Sequence, residues 1–320
     1  MIKYCISLLA IYFYFSPVVL GQVVEKEKDL RKISIDSSLI GWKKGGMFNL
    51  TFSQVSLTNW AAGGENSVSA NVLFNLFAKY NKKRLSFENN LDFGFGLLKQ
   101  SSAKSRKTDD KIDFSSKFGY LIRNNSFFAA LLNFKTQSMP GYNYPNDSVK
   151  ISNFMSPAYL LFATGYDFKK KDIFSCFLAP VTGKVTFVND QTLANSGAFG
   201  VEPAVFDSIG NIIKKGKKSR IEFGGYIKTV LNIKIAENIN LNSKLELFSN
   251  YFKNPQNIDV YWENLIGMKI NKYLAVSINT VLIYDDDIMI TIKDKAGNIT
   301  GQGPRTQFKE VVGLGFSYKF

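Results

Sequence analysis

Apolar side chains fall at every second position through twelve separate stretches of this chain, most of them about ten residues or longer. Consecutive side chains of an extended strand point to opposite faces, so each stretch reads as a strand with one apolar face and one small or polar face. Leu85 to Leu97 sets Leu85, Phe87, Leu91, Phe93, Phe95 and Leu97 against Ser86, Glu88, Asn90, Asp92, Gly94 and Gly96. The other stretches run from Met47 to Ser56, Val68 to Tyr80, Ile112 to Ile122, Phe127 to Gln137 and Ala158 to Phe168. They continue with Ile173 to Ala179, Ile221 to Ile235, Ile239 to Tyr251, Ile258 to Ile270, Leu274 to Tyr284 and Glu310 to Phe320. The seventh, Ile173 to Ala179, is the weakest, because both of its faces are apolar. The last ends on Phe316, Tyr318 and Phe320 in alternation with Ser317 and Lys319.

Alternation does not say which face points outward. A soluble barrel hides its apolar face, whereas a membrane barrel presents it to lipid. The strands are longer than those usual in soluble sheets and suit a tilted membrane crossing. The connections alternate in length. Asn81–Arg84, Arg123–Ser126, Lys169–Asp172, Ala236–Asn238 and Asn271–Tyr273 are short, while Leu57–Ser67, Ser101–Lys111, Ser138–Ser156, Pro180–Ser219, Phe252–Asn257 and Asp285–Arg305 are long or irregular. Short turns on one side and long loops on the other are the outer-membrane pattern. The predicted fold is all-β: a transmembrane antiparallel up-and-down β-barrel of about 12 strands. An even strand count places both termini in the periplasm, and the aromatic closing strand Phe316, Tyr318, Phe320 seals the barrel against the first.

The remaining segments fit that reading. Residues 1–21 combine an early lysine, an apolar run and small residues at Val19 and Gly21, the pattern of a secretory signal peptide. Residues 22–45 are expected to be a periplasmic lead-in and residues 46–320 the barrel. Of the two cysteines, Cys5 falls in the signal segment, leaving Cys176 and no internal disulfide. The glycine-rich pieces Gly41 to Gly46 and Ala61 to Asn66 read as turns, since neither follows a strand and opens a helix as a phosphate-binding motif must.

The loops carry a more specific signal. The blocks from Phe52 to Ala78, Arg106 to Tyr120, Leu131 to Phe154 and Ala179 to Ala204 resemble a Bacteroidota family, domain of unknown function 3078. The resemblance implies a barrel-like protein of the outer membrane and supplies no reaction or catalytic residue.

The chain contains no histidine. That removes every Ser-His, Asp-His and Cys-His arrangement, and with them the base that barrel hydrolases generally use. Histidine-containing metal sites fall for the same reason, and one mature cysteine cannot make a thiolate cluster. No enzyme activity and no cofactor is expected. Asp285, Asp286 and Asp287 offer oxygen ligands of the kind Ca²⁺ takes, although a solvated acidic loop tip is the plainer reading.

The polar faces place Glu88, Asp92, Asp113, Lys117, Lys228, Lys244, Glu246, Asp259, Glu263 and Lys269 in the lumen. Mixed signs of charge either fill and rigidify a narrow barrel or line a path for small polar solutes. Inward glycines favour the path. Trp60, Tyr142 and Tyr144 in the outer loops are candidates for binding sugar or peptide. Two functions follow: a channel for small polar solutes, or a non-conducting barrel that serves as a surface-binding platform or accessory subunit. Expected partners are outer-membrane lipid and lipopolysaccharide, the barrel-assembly machinery during insertion, and an envelope protein. The net charge of +14 and the lysines of the Pro180–Ser219 loop suit lipid phosphates, and nucleic acid is not a partner for an exported chain.

Overall fold

The structure is a computed structural model that describes residues 41–57, 65–101, 104–144, 146–171, 173–271, 274–293 and 299–319. The signal segment, most of the lead-in, Trp60 and Phe320 lie outside the described residues. Twelve antiparallel strands close into one ring: β1 (Gly41–Val55), β2 (Ser67–Lys82), β3 (Leu85–Gln100), β4 (Arg106–Arg123), β5 (Ser126–Thr136), β8 (Ala158–Lys170), β9 (Phe174–Phe187), β12 (Ser219–Ala236), β13 (Ile239–Asn250), β14 (Ile258–Lys269), β15 (Leu274–Tyr284) and β18 (Gln307–Lys319). Each pairs with its sequence neighbours in the ring, and β18 returns to β1. The ring closes at Met47↔Lys319 through Thr51↔Gly315, with Phe48 opposite Tyr318. Both ends of the barrel chain therefore stand on the short-turn side. Closure pairs the two end strands with each other, and such pairing is what permits a sheet to stand in hydrocarbon.

Three small hairpins sit outside the ring in the long loops: β6 (Gly141–Tyr142) with β7 (Lys150–Ser152), β10 (Val205–Phe206) with β11 (Ile212–Lys214), and β16 (Ile290–Lys293) with β17 (Ile299–Gly303). Among the described residues no helix is long and apolar enough to cross a membrane.

The apolar faces point outward. Phe52, Phe128, Phe162, Ile221 and Val312 are exposed on the outside, while Glu88, Asp113, Asp167, Glu246 and Glu263 are buried within. This inverts a soluble barrel and makes the chain a transmembrane antiparallel up-and-down β-barrel. Aromatic rows gird the short-turn end. Tyr80 pairs with Phe87 and Phe87 with Phe118 across β2, β3 and β4, while Tyr120, Phe128 and Tyr166 align across β4, β5 and β8. Trp42 joins this girdle, its ring 5.2 Å from Tyr80 and 6.3 Å from Phe87. Amphipathic rings lie favourably at the headgroup level, so the row marks one membrane boundary.

Four sequence expectations are corrected here. The barrel begins at Gly41, five residues before the expected boundary, and Gly41 to Gly46 is part of β1 and not a turn. Its ladder to β2 runs from Gly41↔Asn81 onward, because pairing with a long neighbour outweighs the local cost of glycine. β4 starts at Arg106, so Asp109, Asp110 and Lys111 belong to a strand. β9 runs on to Phe187 and takes Pro180 to Phe187 out of the expected loop. Its ladders shift register between Thr164 and Tyr166 on one side and between Gly224 and Tyr226 on the other. The extra residues form a bulge around Pro180, where the missing N–H costs no ladder bond. Gly165 faces that bulge, and a Cβ there would collide with the Leu178 carbonyl oxygen.

The fourth concerns the lumen wall. On β5, β8, β9, β12 and β13 the inward residues include an apolar cluster of Ala129, Leu131, Leu161, Ala163, Phe177 and Phe248 with Tyr226. The same strands thus carry both a packed apolar cluster and charged residues such as Lys135, Asp167, Lys184, Lys228 and Glu246 along their inward rows. This is why β9 is apolar on both faces: Phe177 and Ala179 pack inward while Leu178 and Val181 face outward.

Candidate functional site in the lumen and at its outer mouth

Ionised side chains project into the lumen in three tiers. Nearest the short turns, Lys169 Nζ lies 2.7 Å from Glu88 and 3.6 Å from Asp167. Lys117 Nζ meets Asp167 at 2.7 Å and Glu88 at 3.8 Å. The tier joins β3, β4 and β8, and its two carboxylates are shared by two ammonium groups.

The middle tier crosses the lumen. Lys111 on β4 reaches Glu263 on β14 at 3.4 Å, and β14 is six places from β4 in a ring of twelve, directly opposite. Lys244 binds Glu263 at 3.0 Å and Asp113 at 3.8 Å, Lys135 binds Glu246 at 2.7 Å, and Lys228 binds Glu246 at 3.3 Å. Asn133 Nδ2 donates to Asp113 at 2.7 Å, and Tyr261 lies beneath the Lys135 and Lys244 ammonium groups, 4.5 and 5.2 Å from its ring centroid. Burying such charges is costly unless each is paired, and here pairing takes place wall to wall.

The outer tier holds Lys184 Nζ 2.7 Å from Asp259, 3.6 Å from Glu222 and 3.9 Å from Asp285. Asp259, Asp285 and Asp286 bring carboxylate oxygens within 4.8 Å of one another. The lysine stands where a cation would neutralise them, and Asn257 Nδ2 donates to Asp286 at 2.7 Å. Asp287, the third of the run, turns away to Arg220 and Lys253. Partial burial pushes its carboxyl up, but the hydrogen bond from Lys253 and the Arg220 charge outweigh burial and hold it below the usual range.

Between the tiers lies a cavity of about 840 Å³. Its lining includes Asp92, Tyr159, Tyr226 and Tyr261, and also Phe199 from the loop above. That loop is folded, not slack. A helical turn, Gln191–Asn195, is capped by Asp190, whose carboxylate accepts from the Thr192 and Leu193 amides. Val188, Leu193, Ala194 and Val201 form a small core of their own. The lid is tied at two sides. Asn153 Nδ2 donates to Asp190 at 3.0 Å, and Ser156 Oγ accepts from the Asp190 amide at 2.8 Å. On the other side Gly200 abuts the Arg220 guanidinium and Asp287, leaving no room for a Cβ.

Glu88, Asp92, Asp113, Lys117, Lys228, Lys244, Glu246, Asp259 and Glu263 line this cavity. Lys269 lies on the inward row of β14 at its short-turn end, outside the cavity lining. Tyr142 and Tyr144 sit together in the β5–β8 loop with ring centroids 6.0 Å apart, and the Arg106 guanidinium lies 5.2 Å from the Tyr144 ring. They are packed against each other and a cation, apart from the lumen charges. Phe316 is exposed on the outer face of β18.

Lys111, Asp167, Lys169 and Lys184 were missed. Asp110 pairs with Lys107 at 3.0 Å, Lys111 turns across the lumen, and Asp109 pairs with Lys309 at 2.9 Å. Alternation in Val181 to Phe187, with Thr182, Lys184 and Thr186 between the apolar positions, was the available signal for Lys184.

Residues 52–142 match the family described as Protein of unknown function (DUF3078). The match is narrower than the resembling blocks, which run on to Ala204. No curated protein matches the chain in sequence. Among solved structures, the chain is similar to the COG4313 outer membrane channel from Pseudomonas putida F1 at 11% identity, covering 88% of this chain and 96% of that chain with a TM-score of 0.39. It is similar to the translocator domain of autotransporter NalP from Neisseria meningitidis at 7% identity, covering 89% and 91%, with a TM-score of 0.35. The CymD monoaromatic hydrocarbon channel shares 9% identity over 88% and 89%, with a TM-score of 0.32. What this lumen does has to follow from its own side chains.

Proposed function

We propose that the chain is an outer-membrane β-barrel whose resting lumen does not conduct and whose folded outer loops form its working surface, with both termini in the periplasm. The observation that carries this reading is the middle tier. Lys111 and Glu263 meet from opposite walls, and Lys244–Asp113 and Lys135–Glu246 brace the same level. A path for hydrated solutes would have to break these pairs in a confined space, and each broken pair strands a desolvated charge. The lid, pinned at Asp190 and Gly200, opposes entry from outside. A non-enzymatic role accords with the absence of histidine and with the engagement of lumen carboxylates by lysines.

A second reading keeps one observation in its favour. The cavity of about 840 Å³ is large enough for a small polar solute, so displacement of the lid and middle tier would give a gated channel. Planar-bilayer recording with the purified protein separates the two. No reproducible conductance steps are expected from the wild type. Regular steps of uniform size would overturn the non-conducting reading.

A further inference from the structure

The hairpin of β10 and β11 is apolar on both faces and covered on neither. Val205 and Phe206 are consecutive, so they point to opposite faces, yet they are 48% and 52% exposed. Ile212, opposite Phe206, is 46% exposed, Ile213, the extra residue where the ladder shifts register, is 69% exposed, and Ile209 at the tip reaches 83%. A free two-stranded ribbon is marginal in water. Among the described residues its ties lie at its root, where the Lys217 amide donates to the Glu202 carbonyl at 2.9 Å and the Ala204 amide donates to the Asn195 carbonyl at 3.0 Å. The turn is shaped by Asp207, whose carboxylate accepts from the Ile209 and Asn211 amides at 3.0 and 2.7 Å.

Lysines follow the apolar part directly. Lys214 and Lys217 share Glu202. Lys215 and Lys218 are exposed and have no ion pair among the described residues. Residues 202–218 thus carry four lysines against Glu202 and Asp207.

We propose that this hairpin is an interfacial anchor that lies in the outer leaflet beside the barrel, with its isoleucines and Phe206 at the acyl boundary and Lys215 and Lys218 on the phosphates of anionic lipid headgroups. Two observations favour lipid over a protein partner. A docked protein covers one face of a ribbon, whereas a lipid phase wets both, and both are apolar here. The cationic root also matches phosphate-bearing headgroups at the depth where long lysine side chains reach water. The apolar tip with a basic root is the pattern by which surface segments bind anionic membranes. Anchoring would hold the lid root down at the rim of the mouth.

The proposal rests on placement of the barrel in a membrane, but not on whether the lumen conducts. The test uses the full-length protein with Cys176→Ala and Ile209→Cys, the new thiol carrying an environment-sensitive fluorophore. It is reconstituted in vesicles of phosphatidylcholine alone or with one-third phosphatidylglycerol, each with a brominated-lipid counterpart. Heat-modifiable gel migration first shows that the barrel has inserted, so that a failure of placement is seen separately. Expected in the anionic vesicles are a blue-shifted emission and at least twofold quenching by brominated lipid. Lys215→Gln with Lys218→Gln should abolish most of that quenching. Excess free inorganic phosphate should leave it unchanged if headgroups are the ligand and reduce it if a soluble phosphate site is. A water-like emission quenched by iodide and not by lipid overturns the proposal and leaves a protein as the occupant. Equal quenching without phosphatidylglycerol overturns its phosphate part. Should the Ile209 variant fail to insert, Ser208→Cys reads the same depth.

Discussion

At the residue scale, position relative to the barrel wall decides what a substitution costs. Lys184 pairs with Asp259, Glu222 and Asp285 in a largely buried tier. Removing one partner of a buried ion pair strands the others, which costs about 3–5 kcal/mol. Lys184→Met should lower the urea midpoint of the detergent-refolded barrel accordingly, and adding Asp259→Asn should restore part of the loss, a coupling that a double-mutant cycle measures. Lack of any effect would mean that water fills the tier. On the outer face, Phe162 is 53% exposed within two residues of the middle of β8. Phe162→Arg should cost about 2–4 kcal/mol in the same assay, while Asp92→Asn, inside and bonded to Asn75, should cost much less. The reverse order would place the sheet inside out.

At the scale of elements, two contacts are testable. Asp190 caps the lid helix and receives the Asn153 amide, and that hydrogen bond first, with the Leu193 and Thr192 amides, holds its carboxyl below the usual range. A carboxyl lowered in the folded state contributes stability above its unfolded pKa of about 4 and loses it as pH falls through the lower folded value. Amide exchange at Thr192 and Leu193 should therefore be slow and flat above about pH 4 once corrected for intrinsic rates, and protection should fall below it. Asp190→Ala should remove that pH dependence and about 1 kcal/mol of local protection. The other contact is the seam. It rests on the pairs from Met47↔Lys319 to Thr51↔Gly315, and Gly315 is required there because a Cβ would stand 2.8 Å from the Leu50 carbonyl oxygen. Deleting Tyr318 to Phe320 removes two of those five pairs. Unpaired backbone groups in hydrocarbon cost several kcal/mol each, so a half-open barrel should not persist. The truncated chain should be recovered as protease-sensitive material by limited proteolysis of membranes; a resistant, inserted product would show that the closing ladder lies elsewhere.

For the whole molecule, the structure combines a lipid-facing exterior, an interior that is half apolar core and half ion-pair lattice, and a lid with its own small core. A barrel whose lumen is braced from wall to wall should unfold as one unit. Heat should convert its gel migration in a single transition, and high salt should shift that transition little, since pairs in a confined interior are poorly screened. A broad or strongly salt-dependent transition would mean that the lattice is open to bulk water.

Much of this was legible in the chain itself. Period-2 alternation fixes strand, face and order wherever one face meets lipid and the other does not, so β2, β3 and β13 could be read directly, and the nine lumen-lining charges with them. The signal fails where its physical cause fails. On β9 both faces are apolar because one packs against Leu131 and Tyr226 inside the barrel, and at Pro180 a bulge breaks the period. Gly41 to Gly46 has the composition of a turn, and only the neighbouring strand makes it extended. Which lysine meets which carboxylate was beyond the sequence altogether. Lys111 and Glu263 are 152 residues apart, and their meeting depends on ring closure and strand register, which bring opposite walls within reach of two side chains. Local alternation determined the barrel; closure in three dimensions decided that its lumen is braced.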